Sequence, residues 1–536
     1  MQLFPGEQLV LPAPRKGASE ISVTWGYPNE YQVGMAGLGY QLIWWLLEQH
    51  PDVTVYRAFS DMKQEGWQSS DLFGFTLSWE LDYGNILAML KEAGIPWLSS
   101  ERTDDQALVF AGGPALSANP EPFADFFDVV LMGDAEETIP RLLEAWKTAR
   151  QLPDRAARLA HLSTVEGLYV PSLYRYKLES PAGPIAAIEP IAPAVPGTVK
   201  RFAFQPPSDY VAHSVVLAKD SAWNDMFLVE VVRSCPQECR FCLASYLTRP
   251  FRGANVETLM NKIDLGLQHT RKIGLLGPSV TEHQYFDSIA QELLKRQDLQ
   301  ISVASIRIDT IDQTVLGMLV KLGQKSVTIA LESGSERLRS IMKKNLTQTQ
   351  IYEALDLIAA SGLQAVKFYG IVGLPGETQE DLDETVKLLT TLKKKHKQLR
   401  FTFGISSFVP KAQTPFQWAG RDRHCAKKIE YLRKHLSKIG IEVRPESHNW
   451  SDIQTLLSRG DRRLTPVLVA VADSAANLGS WKRALKNLPD DCPSADFYIF
   501  RTIPYDETLP WSHLTEPAKL TILSRHSHAA DALAGS

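Results

Sequence analysis

At 536 residues the chain is too long for one hydrophobic core, and two to four domains are expected. Apolar and charged fractions of 44% and 22% are those of a globular protein, and a net charge of -4 gives no global field for nucleic acid, which leaves only a local basic patch open. Five cysteines are too few for a disulfide framework, no secretory signal pattern opens the chain and no apolar run is long enough to span a bilayer, so a cytoplasmic protein with no membrane partner is expected.

In chain order, residues 1–150 alternate strand and helix patterns. ISVTW (21–25), VTVYRAF (53–59), DLFGFTLSW (71–79), ALVFAGG (107–113) and DVVLM (128–132) read as strands, 37–50 and 83–94 read as helices, and 133–146 reads as a turn followed by a helix. This predicts a Rossmann-like α/β domain, a parallel sheet with helices on both faces and a ligand crevice at the carboxyl ends of the strands. The loops AGGPALSANP (111–120) and GDAEET (133–138) are expected at that crevice. Residues 151–215 are rich in proline and read as a linker, with a short β segment in GLYVPSLYRYKL (167–178) that pairs with a later strand.

Residues 216–440 resume the alternation. FLVEVVRS (227–234), KIGLLGP (272–278), ISVASIRID (301–309), SVTIALESG (326–334), AVKFYGIVGLPG (365–376) and RFTFGISSFVP (400–410) are strand patterns with helix patterns between them. A partial (β/α)6 barrel is expected, with its chemistry on the loops after the strands. Residues 441–536 read as a small C-terminal α/β accessory domain. It carries LLSRGDRRL (456–464) and DFYIFRTIPYDETLPWSH (496–513), and its last residues, SRHSHAADALAGS (524–536), are expected to fray.

Three of the five cysteines, Cys235, Cys239 and Cys242, stand as C-x3-C-x2-C just after the first strand of the second unit. Thiolates are soft ligands that select zinc, copper(I) or iron–sulfur clusters. Structural zinc takes four protein ligands, and the nearest further candidates, His213 and His269, stand at no finger spacing. A four-iron cluster normally takes four cysteines, so three leave one iron open to a substrate or cofactor.

C-x3-C-x2-C with an aromatic residue, Phe241, before its last cysteine and a β/α barrel after it resembles the signature of the radical S-adenosylmethionine (SAM) enzymes. The resemblance implies a [4Fe-4S] cluster on Cys235, Cys239 and Cys242, with SAM chelating the open iron. It also implies an external reductant of flavodoxin or ferredoxin type, whose electron splits SAM into methionine and a 5'-deoxyadenosyl radical. Further SAM contacts implied by the resemblance begin with Gly277 and Ser279 in LLGPSVTEH (275–283), a segment that lacks the usual paired glycines and acid and reads equally as a plain β/α turn. Arg307 in SIRIDT (305–310) would lie near the ribose. Glu332, Ser333 and Lys344 belong to ALESGSERLRSIMKKN (330–345), which is similar to a segment of the methylthiotransferases, although Ser333 or Ser335 also suits a helix N-cap. Gly373 in GIVGLPGET (370–378) would line the adenine, and the same glycine suits a tight turn. No side chain is assigned to the substrate's own reaction.

Residues 110–146 are similar to the second half of cobalamin-binding domains, so the chain resembles B12-binding-domain radical SAM proteins of unassigned reaction. No D-x-H-x-x-G motif marks a lower cobalt ligand. Two readings stay open: cobalamin-dependent methyl transfer, or radical oxidation or rearrangement without cobalamin beside a first domain that only docks on the barrel or gates it. The first domain has no cysteine, and Cys425 and Cys492 cannot build a second cluster alone, which disfavours sulfur insertion. An alternative of another class is a non-catalytic iron–sulfur protein that recruits RNA or a ribosomal partner. The basic runs at 392–400 and 422–438 read as solvated helix faces; Arg459, Arg462 and Arg463, near Trp450 and Trp511, suit a phosphate or carboxylate unless Asp461 pairs them internally.

Overall fold

A computed structural model of the chain describes residues 1–535. The first sheet forms where β-branched and aromatic runs predict it. Ile21–Gly26, Val53–Ala58, Leu72–Thr76, Leu108–Gly112 and Val129–Leu131 are parallel, and Leu168–Tyr169 closes the edge antiparallel. Their spatial order is second, first, third, fourth, fifth, sixth. The order therefore reverses between the first and third strands, a switch point that opens a crevice at the carboxyl ends.

Successive side chains of each strand enter opposite cores. Leu72, Leu108, Phe110 and Val129 pack under the helices Leu38–Gln49 and Ala135–Ala149. Phe73, Phe75, Val109 and Val130 pack on the other face, where Leu456, Leu468, Trp481 and Trp511 from the end of the chain complete the covering layer.

The tail thus differs from the α/β domain expected of it. Its one strand, Glu442–Pro445, pairs parallel with Arg400–Ser407, and among the described residues no strand follows. The run DFYIFRTIPYDETLPWSH looks strand-like, yet Ala495–Ile499 is a helix, and Tyr498 and Ile499 fill the core beside the first sheet instead of pairing at an edge. Nor do the described residues of the end fray: Pro517–Ala534 is a helix with Leu523, Ser527 and Ala530 buried along one stripe, and Ser536 lies outside the described residues. The proline-rich stretch also hides a helix, Arg155–Ser163, capped by Asp154, ahead of an antiparallel hairpin of Tyr174–Leu178 with Ile185–Pro190.

The barrel strands are Phe227–Glu230, Lys272–Leu276, Gln300–Val303, Ser326–Glu332, Ala365–Val372 and Arg400–Ser407, all parallel, in two sheets linked by a bridge from Ile306 to Ile329. Glu442–Pro445 extends the second sheet. Three of the helices between them start on side-chain caps: Asn255 for Val256–Leu267, Asp312 for Gln313–Lys321, and a Thr347–Gln350 capping box for Gln348–Ala360. Among the described residues no helix is long and apolar enough to cross a membrane.

Candidate active site

The cysteine loop leaves the first barrel strand through Ser234 and Glu238, both at positive φ. The loop is held from within. The Ser234 hydroxyl donates to the Ala244 carbonyl (3.0 Å), the Cys242 amide to the Cys239 carbonyl (3.0 Å) and the Tyr246 hydroxyl to the Glu238 carbonyl (2.7 Å). Cys239 is buried, and Cys235 and Cys242 are half-buried. Burial pushes the Cys239 thiol up to about 11, against the pull of Lys344 and Arg307. Burial also raises Cys242, against the amides of Ala244 and Ser245.

Two cations facing one sulfur and two amides facing another are what thiolate ligands need, since hydrogen bonds to cluster sulfurs stabilise their charge. Among the described residues no group of three or more His, Cys, Asp or Glu side chains is arranged to hold a single metal ion. The donor set fits a cluster with one open iron.

Phe241 packs on Leu338, Ile341 and Met342 and anchors the loop to the far side of the barrel. Glu332 ends its strand at φ +65, buried, and receives a hydrogen bond from Lys344 at 2.9 Å. The two residues face the same thiol, Cys239. Arg307 is bidentate to Asp309 (2.9 and 2.7 Å) and lies 3.1 Å from Glu282, which also accepts from Gln237 of the cysteine loop. Ser279 is buried with a hydroxyl that has no hydrogen-bond partner among the described residues.

Other candidates have structural work. Ser333 accepts from Arg339 at its carbonyl (2.8 Å), while Ser335 caps the following helix. Gly373 sits at φ +81, where an added Cβ would stand 2.4 Å from Cys425 Sγ, so packing alone requires glycine there. Cys425 is buried beneath that turn and Cys492 is buried in the tail core. The arginine-rich turn is spent internally. Arg463 is bidentate to Asp461 (3.0 and 2.7 Å), Arg462 donates twice to Oε2 of Glu121 (3.1 and 2.9 Å), and Arg459 donates to the carbonyls of Ile499 and Arg501. This is the internal pairing, with Asp461 among the partners, that the sequence left open as the alternative to an anion-binding turn.

A cavity of about 620 Å³ lies between the first sheet and the cysteine loop. Gly113, Pro114 and Ser117 of AGGPALS and Gly133, Asp134 and Glu136 of GDAEET line one wall. Arg233 and Ser234 before the cysteines, Leu243, Ala244, Leu247 and Thr248 after them, and Gly277 line the other. No His, Cys, Met or Lys side chain is among the lining residues.

Sequence reasoning passed over Arg233, which joins these walls. It pairs with Glu230 (2.8 Å), Glu136 (2.7 Å) and Asp134 (3.4 Å). An arginine at the end of a buried strand, two residues before the cysteines, is the local signal that could have found it.

Comparison with known proteins agrees with this geometry. Residues 43–171 match the family model "Radical SAM proteins, N-terminal" and residues 229–389 match "Radical SAM superfamily". The uncharacterized protein MJ0966 of Methanocaldococcus jannaschii is 30% identical over 464 residues, covering 86% of this chain and 92% of that protein. An uncharacterized methyltransferase, PH0819 of Pyrococcus horikoshii, is 24% identical over 55% of this chain and 60% of its own length. In fold the chain is similar to TsrM of Kitasatospora setae, a radical SAM methyltransferase solved with cobalamin and a [4Fe-4S] cluster. That match has a TM-score of 0.50 at 13% identity and covers 96% of this chain and 88% of that one. The cobalamin-dependent radical SAM enzyme OxsB also matches, with a TM-score of 0.50 at 13% identity over 87% of this chain and 70% of that one. The three-cysteine loop, the barrel behind it and a relative shared over nearly the whole length lead to one assignment: the chain belongs to the radical SAM superfamily of enzymes.

Proposed function

We propose that the chain is a cobalamin-dependent radical SAM methyltransferase. Cys235, Cys239 and Cys242 would hold a four-iron cluster. Glu332, Lys344, Arg307 and Ser279 would meet SAM beside it, and the loops 111–117 and 133–138 would carry a corrinoid. When bound, the cluster supplies one-electron cleavage of SAM and the corrinoid supplies a transferable methyl group. The chain's own part is placement and exclusion of water. Lys344 and Glu332, buried as a pair, hold opposite charges ready for a zwitterionic amino acid moiety. Arg233 fixes the cysteine loop against the corrinoid loop. No His, Cys, Met or Lys side chain lines the cavity, so a corrinoid would be held there by the loops themselves rather than by a side-chain ligand.

The observation that carries the reading is the cavity itself, walled on one side by strand-end loops of the first domain and on the other by the cysteine loop. Its size suits a cofactor rather than a water.

The test is anaerobic reconstitution with iron, sulfide and hydroxocobalamin, then gel filtration, a visible spectrum and product analysis after reduction with SAM. Retained corrinoid, with both S-adenosylhomocysteine and 5'-deoxyadenosine formed, is the expected result. Deoxyadenosine from a protein that keeps its iron but retains no corrinoid would overturn methyl transfer and leave hydrogen abstraction without cobalamin.

A further inference from the structure

The C-terminal helix, Pro517–Ala534, runs beside the cysteine loop, although 280 positions separate His526 from Tyr246. Its contacts recur at helical spacing. Leu523 is buried in the same core as Tyr246, the fourth residue after Cys242. Nδ1 of His526 lies 3.2 Å from the Tyr246 hydroxyl. Ala530 and Ala534 join the apolar cluster of Phe241 and Leu338.

The Tyr246 ring is 2% exposed, and its hydroxyl donates to the Glu238 carbonyl at 2.7 Å. A phenol has one proton, so the bond with His526 runs the other way. Nδ1–H of the imidazole donates to the hydroxyl oxygen, which fixes the ring's tautomer. Glu238 is gripped at its side chain as well, by Lys343 at 2.5 Å and by Arg249. It holds a left-handed φ of +53 just before Cys239.

This grip controls the next peptide bond. The 238–239 peptide is trans, so its N–H points opposite to its carbonyl. With the carbonyl tied to Tyr246, the Cys239 amide faces away from the tyrosine. That amide belongs to a buried residue and has no hydrogen-bond partner among the described residues. Buried amides are almost always paired, so a free one is reserved for a group that the chain itself does not supply. Cluster sulfurs accept such hydrogen bonds, and each bond favours the reduced cluster, which carries one more negative charge.

We propose that Tyr246 and His526 are positioning residues for the cluster: through the Glu238 carbonyl they hold the Cys239 amide free for a cluster sulfur and so raise the reduction potential. His526 acts through Tyr246, because its N–H keeps the hydroxyl proton directed at Glu238. The C-terminal helix is thereby part of the machinery that accepts the electron. The proposal rests on the four-iron cluster of the reading above and is independent of the corrinoid.

The full-length protein and its variants are reconstituted anaerobically with iron and sulfide. The midpoint potential is then read without SAM, by redox titration of the cluster's electron paramagnetic resonance signal. Tyr246→Phe and His526→Ala should each lower it by about 59 mV or more, a tenfold loss in the one-electron equilibrium, while iron content stays at the wild-type level. His526→Asn, whose side-chain amide donates from nearly the place of Nδ1, should restore most of the loss. Tyr505→Phe is the control for a loosened helix. It cuts bonds to Ser527 (2.8 Å) and Asp531 (2.6 Å) of the same helix and should leave the potential unmoved. Should Tyr246→Phe shed its iron, the two His526 variants decide. A wild-type potential in His526→Ala, an equal fall in His526→Asn, or a fall as large in Tyr505→Phe overturns the proposal. Failure of the wild type to hold iron removes the cluster reading itself, whereas bound iron with an unmoved potential overturns only this inference.

Discussion

Lys344 and Glu332 show what a buried pair can and cannot be there for. Both side chains are nearly inaccessible, 5% and 8% exposed, and 2.9 Å apart. Glu332 also holds a left-handed φ of +65, which costs a non-glycine residue roughly 1–3 kcal/mol. A buried ion pair seldom repays its own desolvation, so stability alone is a poor reason to keep one beside Cys239. Lys344→Met alone should destabilise by about 3–5 kcal/mol, because it strands the carboxylate. The double variant Glu332→Gln/Lys344→Met should recover most of that in urea melts and retain full iron content, yet bind SAM at least tenfold more weakly in equilibrium dialysis. Unchanged SAM binding would make the pair purely structural. At this scale the sequence was legible where function writes a local pattern, as in C-x3-C-x2-C or ESGS. It was silent on Arg233, whose partner Glu136 lies 97 positions away and has no reason to leave a nearby mark.

The loops after the strands carry the chemistry, and their shape depends on a few backbone positions. Gly133 sits at φ +125, and an added Cβ would stand 2.1 Å from the Phe202 carbonyl oxygen and 2.6 Å from its amide nitrogen. Only glycine lets the stretch at 202–204 close over the GDAEET loop, and that closure places Arg201, Asp134 and Glu136 on one rim. Gly133→Ala should destabilise by roughly 1–3 kcal/mol from backbone strain alone. It should also lose hydroxocobalamin on gel filtration while iron and sulfide content stay at wild-type levels, because the cysteine loop is built on the other wall. Corrinoid retained at full occupancy would mean that the loop does not carry it. Strands and helices of both β/α units were legible because their apolar periods are long and their caps conventional. The C-terminal helix was not: its buried stripe is Leu523, Ser527 and Ala530, and two small residues in three give little hydrophobic signal even though they allow close packing.

Across the whole molecule, Glu121 ties together parts that the sequence reads as separate. It is fully buried at the end of the loop after the strand Leu108–Gly112. Tyr169 of the sheet edge and Tyr176 of the hairpin donate to it, Arg462 of the tail donates twice (3.1 and 2.9 Å), and His513 lies 3.6 Å away. Burial works against its charge, and Arg462, His513 and the two tyrosines outweigh that and hold the carboxyl below its ordinary range. The tail is thus locked onto the first domain, consistent with the core that Phe73 and Trp511 share. Glu121→Gln leaves the Arg462 guanidinium buried without its counter-charge and should destabilise by about 3–5 kcal/mol at neutral pH. The sign with pH follows from linkage. A carboxyl whose folded pKa is depressed contributes stability above its unfolded value of 4.5 and loses it as pH falls through the folded one. The gap between wild type and variant in urea melts should therefore be constant from pH 7 to pH 5 and narrow below 4.5. Limited proteolysis of the variant should open the hairpin and the tail before the barrel. An unchanged digestion pattern, or a gap that does not begin to narrow as pH falls below 4.5, would show that the tail is held by apolar packing and that this ionic hub is incidental to it.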